Sequence, residues 1–299
     1  MIKAHAKINL GLYITGKRDN GYHELCSIFL PIELCDKIEI KEADKFSITA
    51  TGPFAHDCPT DEKNTMFKAY SKLKDFLYKK GIKLNPIHIN IEKNIPSQAG
   101  LGGGSSDAAA VLRGLNDLHD CGLASEELKK IGEEIGADVP FFVDEEPALV
   151  EGIGETTHPF KLEHNYWILL AKPVAGLSTA EVYKHFTLSL TLKNDNVKHT
   201  EHLRNICFQG LKKAEELKTL HNDLESVSVL ILPEIAAIRD YFLSLSPLVT
   251  MMSGSGSSVF AVFDSEPRME GPQGKDWFFC KTKVKRGALW TSLRSKFTR

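Results

Sequence analysis

One stretch constrains the fold of this chain more than any other: residues 95 to 110 read IPSQAGLGGGSSDAAA. Its glycines allow backbone conformations that other residues rarely adopt, and they let N–H groups approach a ligand closely. The glycines are Gly100, Gly102, Gly103 and Gly104, and the residues at the expected helix N-cap are Ser105, Ser106 and Asp107. A glycine-rich loop that ends at a helix N-terminus favours an anion such as a nucleotide phosphate, because free N–H donors and the positive end of the helix dipole face it.

The flanking residues favour a folded phosphate site over a flexible linker, which is the simpler alternative. The preceding stretch PIHINIEKNI (86–95) alternates as a strand does, and the stretch after the loop is apolar and suited to a helix. Familiar phosphate loops do not fit. No lysine follows Gly104, as a Walker A loop requires, and Ser105 stands where a dinucleotide fingerprint needs its third glycine. The His-Arg-Asp and Asp-Phe-Gly tripeptides of protein kinases are also missing.

Composition limits the classes of function. The 299 residues are enough for two domains, and 42% hydrophobic with 25% charged residues is typical of a globular protein. A net charge of -2 gives the protein no overall positive potential that would attract nucleic acid or an anionic membrane. The six cysteines contain no CxxC pair, and no apolar run resembles a signal or a membrane span. We therefore expect a cytoplasmic protein without nucleic-acid or membrane partners, and its oligomeric state stays open.

Two further segments carry side chains suited to chemistry. Residues 6 to 14 alternate, which predicts a half-buried strand with Lys7 and Asn9 side by side on its polar face. An exposed sheet edge explains those two residues equally well. Asp138 follows a helix end and precedes Pro140, where a turn-forming aspartate is common.

The remaining patterns predict alternating helices and strands with a domain boundary near residue 157. Strands are expected near 25–34, 37–42, 46–51, 86–95, 149–155, 166–173 and 276–284, with a strand, turn and strand over 248–263. Helices are expected from an Asn64 N-cap to Gly81, from the glycine loop to about Leu118, over 125–135, after Ser178, and over 199–219 and 223–244. The basic tail 281–299 is interpreted as a C-terminal helix rather than an anionic-surface contact.

Three separated stretches resemble the motifs of the GHMP small-molecule kinases. They are AKINL (6–10), the glycine-rich loop and MSGSGSSVFAVF (252–263), of which the last also reads as a simple hairpin. Within that superfamily, GYHEL (21–25), GADVPFF (136–142) and NDLE (222–225) are similar to members that act on a cytidylylated methylerythritol in the non-mevalonate isoprenoid route. The sequence departs from the pattern at His5, where proline is usual, and matches poorly after residue 264.

The resemblance implies an α+β, two-domain GHMP kinase architecture with the active site in the interdomain cleft. The ATP-binding domain would span 1–157 and the C-terminal domain 158–299. The resemblance further implies ATP as co-substrate with its phosphates on the 100–106 loop, and Mg²⁺ bridging those phosphates through ligands that stay open. The expected reaction phosphorylates the 2-hydroxyl of the methylerythritol unit and releases ADP.

Residue chemistry agrees with this implication. An alcohol is a poor nucleophile, so phosphoryl transfer to it is faster when a carboxylate accepts its proton and a cation stabilises the developing charge. Asp138 and Lys7 suit these two roles. Asn9, on the same strand face as Lys7, can hold the substrate hydroxyls. The resemblance assigns Tyr22, His23 and Tyr183 to the cytidine end, although Tyr183 also suits a core position, and Asn64 and Lys93 to the adenosine end.

Three alternative functions are less well supported. Another kinase of the superfamily, acting on mevalonate or homoserine, does not explain GYHEL. A ligand sensor without catalysis does not explain why both Lys7 and Asp138 are present. A nucleic-acid-binding protein that uses the basic tail lacks a supporting global charge.

Overall fold

The computed structural model describes residues 1–162, 164–186, 195–209, 214–268, 271–272 and 274–285. The expectations for the basic tail beyond residue 285, and for residues 210–213 of the helix expected over 199–219, lie outside this part of the chain. No helix among the described residues is both long and apolar enough to cross a membrane.

The described residues form mixed strands and helices. The strands are β1 (Ile2–Lys17), β2 (His23–Glu42), β3 (Ser47–Thr51), β4 (Ile87–Glu92), β5 (Ala148–Gly152), β6 (Thr156–Pro159), β7 (Trp167–Lys172), β8 (Val249–Met252), β9 (Val259–Phe263) and β10 (Phe278–Lys283). The helices are α1 (Thr65–Lys79), α2 (Gly103–Leu118), α3 (Ser125–Glu133), α4 (Val139–Asp144), α5 (Thr179–His185), α6 (Asp195–Gln209), α7 (Ala214–Leu217), α8 (Glu225–Ile231) and α9 (Glu234–Ser244). A short 3₁₀ turn covers Ala55–Asp57.

The chain divides into two compact units that are interleaved in sequence. The first unit contains Met1–Ala6, Leu34–Ser97 and Gly102–Glu145, and the second contains Lys7–Glu33, Gln98–Leu101 and the chain from Glu146 onward. The boundary near residue 157 stays a prediction.

The first unit combines strand pairs with the helices α1 to α4. The carboxyl half of β2 pairs antiparallel with β4, and β3 pairs parallel with β4. Every second residue of β4 is a fully buried isoleucine, as expected for a strand with one apolar face. Helix α1 begins as predicted, because the Asn64 side chain accepts a 2.8 Å hydrogen bond from the Met66 N–H, and it ends before Gly81, whose φ is +78°.

The second unit contains a four-stranded antiparallel sheet in the order β10, β7, β9, β8. Helix α9 packs against it through Ile235, Ile238 and Phe242, which recur at helical spacing and are fully buried. In the same unit, Leu25–Phe29 of β2 pairs with β5, and β5 pairs with β6. The strand, turn and strand expected over 248–263 and the strand expected over 276–284 are confirmed as β8, β9 and β10.

Several sequence predictions were wrong in detail. The strands expected over 25–34 and 37–42 form the single strand β2, and helix α4 was not predicted because Pro140 and the short apolar run suggested a turn. The helix expected over 223–244 is divided into α8 and α9 at Pro233, whose ring nitrogen has no hydrogen to continue the helical pattern. Strand β1 is not half-buried, since both of its faces are buried from Ala4 to Ile14.

Candidate functional site

Helix α2 begins earlier than the sequence predicted. Its N-cap is Gly102, with a φ of +70°, so the N-cap expected at Ser105 to Asp107 was wrong. Glycine adopts this left-handed conformation without the Cβ clash that another residue would meet, which lets the helix start at Gly103. Ser105 and Ser106 therefore lie in the first turn, with Ser105 partly exposed and Ser106 buried.

In the first unit, the residues predicted for the nucleotide lie around this first turn. The Thr65 hydroxyl, next to Asn64 at the start of α1, donates a 2.6 Å hydrogen bond to the Gly104 carbonyl. The Lys93 ammonium donates to the Asp107 carboxylate at 2.7 Å, and a Cβ placed on Gly103 would lie 3.8 Å from the same nitrogen. The structure thus brings Asn64, Lys93 and the glycines of α2 together within one unit.

Asp138 occupies the N-cap position of α4 and is partly exposed. Its side chain does not cap the helix, so the carboxylate is not used to start α4. A Cβ placed on Gly136 would lie 3.8 Å from the Ser105 Oγ, so the chain just before Asp138 passes beside the first turn of α2.

In the second unit, Lys7 and Asn9 are both buried, which rules out the exposed sheet edge as their explanation. The Lys7 ammonium donates a 2.6 Å hydrogen bond to the Asn9 Oδ1 and lies 4.4 Å from the centre of the Phe29 ring. The Asn9 amide in turn donates to the Ser27 Oγ at 3.0 Å. A buried lysine is costly unless polar or charged groups surround it, and these contacts hold the Lys7 ammonium in place.

The same unit joins the three stretches that carried the resemblance. The Lys7 N–H donates to the Leu101 carbonyl at 3.0 Å, and the Ser253 hydroxyl donates to the Gly100 carbonyl at 2.9 Å. The Asn9 N–H donates to the Ser253 Oγ at 3.3 Å. A residue from each of AKINL, the glycine-rich loop and the turn after β8 therefore takes part in one hydrogen-bonded cluster.

Sequence reasoning missed Ser253 and Asn222 as members of this cluster. The Asn222 amide donates to the carbonyls of Met252 and Gly254, at 2.9 and 2.7 Å, and so fixes the turn that carries Ser253. Asn222 belongs to the NDLE stretch and Ser253 to the glycine-serine stretch, so their motifs were recognised but their individual contacts were not. Short polar side chains give no periodic signal that would single them out.

The residues assigned to cytidine lie on β2, α5 and the turn before β2. The His23 and Tyr183 rings stack with centroids 5.2 Å apart and an interplanar angle of 29°, and Phe186 meets His23 edge-on. Tyr183 is partly exposed, whereas Val182 and Phe186 supply the buried contacts of that helix end, so Tyr183 is not a core residue. Tyr22 is 60% exposed. Burial and the nearby charge of Lys17 lower the pKa of His23.

Comparisons with known proteins agree with these motifs. Residues 64–146 match the family described as GHMP kinases N terminal domain, and residues 202–270 match GHMP kinases C terminal. The 4-diphosphocytidyl-2-C-methyl-D-erythritol kinase of Lachnoclostridium phytofermentans is 40% identical, over 94% of this chain and 96% of the relative. The chain belongs to the 4-diphosphocytidyl-2-C-methyl-D-erythritol kinase family. The relative with the same name from Caldicellulosiruptor bescii is 42% identical, over 89% of this chain and 90% of its own length.

Solved structures agree with the family. A crystal structure of 4-(cytidine 5'-diphospho)-2C-methyl-D-erythritol kinase matches with a TM-score of 0.71 and 28% identity, covering 95% of this chain and 98% of that one. The mevalonate kinase of Methanococcus jannaschii matches with a TM-score of 0.67 but 16% identity, which shows a shared fold alone. As a member of this kinase family the chain is a small-molecule kinase with a two-domain α+β architecture and ATP as co-substrate.

Proposed function

We propose that this chain transfers the γ-phosphoryl group of ATP to the 2-hydroxyl of 4-diphosphocytidyl-2-C-methyl-D-erythritol, in isoprenoid precursor synthesis by the non-mevalonate route. The products are the 2-phosphate and ADP. The observation that carries the proposal is the hydrogen-bonded cluster in which Lys7, Gly100 and Ser253 take part, because it joins the three motifs within one unit. The relatives' shared name supplies the substrate. The cytoplasm stays the predicted location.

The proposed chemistry assigns complementary roles to Lys7 and Asp138. A bond forms between the substrate oxygen and the γ-phosphorus while the bond from that phosphorus to the leaving ADP oxygen breaks. The Asp138 carboxylate accepts the proton of the hydroxyl, and the Lys7 ammonium stabilises the charge that develops on the transferred group. Lys7 is suited to this role because Asn9 and the Phe29 ring hold its ammonium in a defined position.

Backbone N–H groups of the glycine-rich loop and the first turn of α2 would hold the nucleotide phosphates. The proposed segment contains Gly100, Gly102, Gly103, Gly104, Ser105 and Ser106. We propose that Asn64 and Lys93 lie beside the adenosine end, which their positions near this turn support.

A Mg²⁺ ion bound with the nucleotide would supply positive charge that offsets the charge of the phosphates. Within the described residues there is no group of three or more His, Cys, Asp or Glu side chains able to hold a metal ion, so a site built from protein ligands alone does not fit. A nucleotide-bound Mg²⁺ with few protein oxygens does fit, since this ion usually keeps several waters and phosphate ligands. The Ser106 hydroxyl is the proposed protein oxygen, because it is fully buried and lacks a hydrogen-bond partner among the described residues.

The substrate would be held at both ends. Asn9 is proposed to contact the hydroxyls of the methylerythritol unit, and Tyr22 and Tyr183 to present aromatic faces to cytosine, as aromatic residues do to bases elsewhere. His23 is proposed as a hydrogen-bonding neighbour. Its lowered pKa favours the neutral imidazole near pH 7, which offers one donor and one acceptor.

A coupled assay of ADP release tests this function. The protein with ATP and Mg²⁺ should phosphorylate 4-diphosphocytidyl-2-C-methyl-D-erythritol, and should use methylerythritol phosphate, mevalonate and homoserine very poorly. Similar kcat/KM values for substrates with and without cytidine would reject the proposal and favour another kinase of the superfamily. Mass spectrometry of the product distinguishes the 2-phosphate from simple ATP hydrolysis.

A further inference from the structure

A buried ion triad lies at the two ends of the glycine-rich loop, inside the first unit. It consists of Asp36 in β2, Lys93 just after β4 and Asp107 in the second turn of α2. The Lys93 ammonium donates to the Asp36 Oδ2 at 2.5 Å and to the Asp107 Oδ2 at 2.7 Å. Side-chain exposure is 7% for Lys93, 0% for Asp36 and 5% for Asp107, so water screens these charges little.

Asp36 also holds the backbone where the loop begins. Its Oδ1 accepts hydrogen bonds from the N–H groups of Asn94 and Ile95, at 2.5 and 2.9 Å. Ile95 in turn packs against the place where the loop ends, because a Cβ on Gly103 would lie 3.0 Å from the Ile95 Cγ2. One carboxylate therefore fixes the incoming segment directly, and it fixes the start of α2 through Lys93 and Asp107.

We infer that Asp36 is a positioning residue for ATP: through the buried ion triad it sets the distance and orientation between the two ends of the phosphate-binding loop. This inference rests on the proposed function, since it takes the loop to be the phosphate cradle. A preorganised cradle binds phosphate without the cost of ordering its N–H groups. The triad also explains why a lysine beside the proposed nucleotide site directs its ammonium to two aspartates.

Electrostatics supports a charged lysine in this triad. Burial alone would lower the pKa of Lys93, but the charges of Asp107 and Asp36 outweigh it and raise the pKa above its usual value. The ammonium thus stays protonated over the whole range in which the enzyme would be assayed. Burial raises the pKa of the Asp107 carboxyl to about 7, against the opposing charge of Lys93.

The variant Asp36→Asn tests the inference. One amide oxygen cannot accept from Lys93 and from both backbone N–H groups, so at least one donor loses its partner. We expect the KM and the calorimetric Kd for ATP to rise roughly 5- to 50-fold, with the KM for the phosphoryl acceptor and kcat changed less than about twofold. Hydrogen exchange should increase at residues 94–106 and little at the other residues of either unit.

Asp144→Asn is the matched control, because Asp144 also bonds a lysine and a further donor in the first unit, the Lys129 ammonium and the Ser125 hydroxyl. The control should not weaken ATP binding, even if it lowers the melting temperature as much as Asp36→Asn does. If Asp36→Asn does not fold, the neutral variant Lys93→Met/Asp36→Asn/Asp107→Asn takes its place, because it leaves no unpaired buried charge. Its ATP Kd is then compared with that of Lys93→Met/Asp107→Asn, which lacks the same lysine but keeps Asp36. An unchanged ATP Kd in the folded variant, or equal losses for ATP and acceptor, would overturn the inference.

Calorimetric measurement of the ATP Kd distinguishes a failure of this inference from a failure of the proposed function. If the unmodified protein binds ATP but does not phosphorylate the cytidylylated substrate, the proposed function fails while the ATP Kd of the variants still decides the role of Asp36. If the unmodified protein is active and Asp36→Asn retains its ATP affinity, only the positioning role fails.

Discussion

The Ser253 hydroxyl donates a 2.9 Å hydrogen bond to the backbone carbonyl of Gly100, and through it the glycine-rich loop is held against the turn between β8 and β9. The loop approaches so closely that a Cβ on Gly100 would overlap the Ser253 carbonyl oxygen. Gly100 also has a φ of +71°, which an L side chain rarely adopts. Two separate constraints therefore require glycine at this position.

Gly100→Ala should weaken ATP binding by about tenfold or more, because the loop must move away from the turn to make room for the methyl group. Calorimetric titration of the folded variant with ATP checks this. The control is Gly81→Ala, since Gly81 has a similar φ of +78° but no atom of the described residues within 4 Å of the added Cβ. The control should lose about 1 kcal/mol of stability and keep its ATP affinity. Equal ATP affinities for the two variants would contradict the proposed close-contact role of Gly100.

Asp138→Asn should lower kcat by roughly 10² to 10⁴ while ATP affinity changes little, because the proton acceptor is lost and the phosphate loop is unaltered. Single-turnover kinetics with the cytidylylated substrate measures the effect on the chemical step. Asp144→Asn removes a carboxylate from the other end of α4 and should retain most of the activity. Near-normal turnover by Asp138→Asn would remove this residue from the role of base.

The sequence predicted the elements whose cues are local. Asn64 was identified as an N-cap because its side chain precedes an apolar helical repeat, and the structure shows its oxygen bound to the Met66 N–H. The start of α2 was predicted at the wrong residues because serine and aspartate are strong N-cap residues. The actual N-cap is Gly102, which starts the helix through its left-handed backbone conformation and not through a side-chain hydrogen bond.

Contacts between residues far apart in the chain could not be predicted from the sequence alone. Lys7 and Asn9 were selected by alternation, but alternation predicts one buried face, and both faces of β1 are buried. The contact between Ser253 and Gly100 joins residues 153 positions apart, and no spacing rule relates them. Asp36 was not singled out at all, since it lay between the strands expected over 25–34 and 37–42, where an aspartate is typical of an exposed turn, whereas the structure buries it within β2.

The pH dependence of stability should report on His23. Its folded-state pKa is lowered by burial and by Lys17, so the unfolded chain binds a proton more readily as pH falls through its ordinary value of about 6.5. The contribution of His23 to the free energy of unfolding is therefore fully present above about pH 6.5 and decreases as the pH falls below that value. Urea unfolding should show a smaller loss between about pH 7.5 and 5.5 for His23→Gln than for the unmodified protein. Parallel curves for the two proteins would contradict the lowered pKa.

The last prediction concerns Tyr22, whose side chain is 60% exposed and therefore contributes little to the core. If its ring stacks on cytosine, Tyr22→Ala should raise the KM for the cytidylylated substrate roughly 5- to 150-fold, as expected for a contact of about 1 to 3 kcal/mol. The KM for ATP and the melting temperature should barely change. Initial-rate kinetics with each substrate varied in turn measures both constants.

Tyr78→Ala is the matched control, because Tyr78 is a tyrosine that is 79% exposed on α1 and has no proposed role. Both variants remove an exposed ring, so a general effect on stability would appear in both, whereas a cytosine contact affects Tyr22→Ala alone. Tyr22→Ala should mainly raise KM, because the base lies far from the reacting hydroxyl. Since binding energy at the base also helps to position that hydroxyl, kcat can decrease as well. An unchanged KM in Tyr22→Ala, or an equal rise in Tyr78→Ala, would exclude Tyr22 from cytosine recognition and leave that role to the stacked pair of His23 and Tyr183.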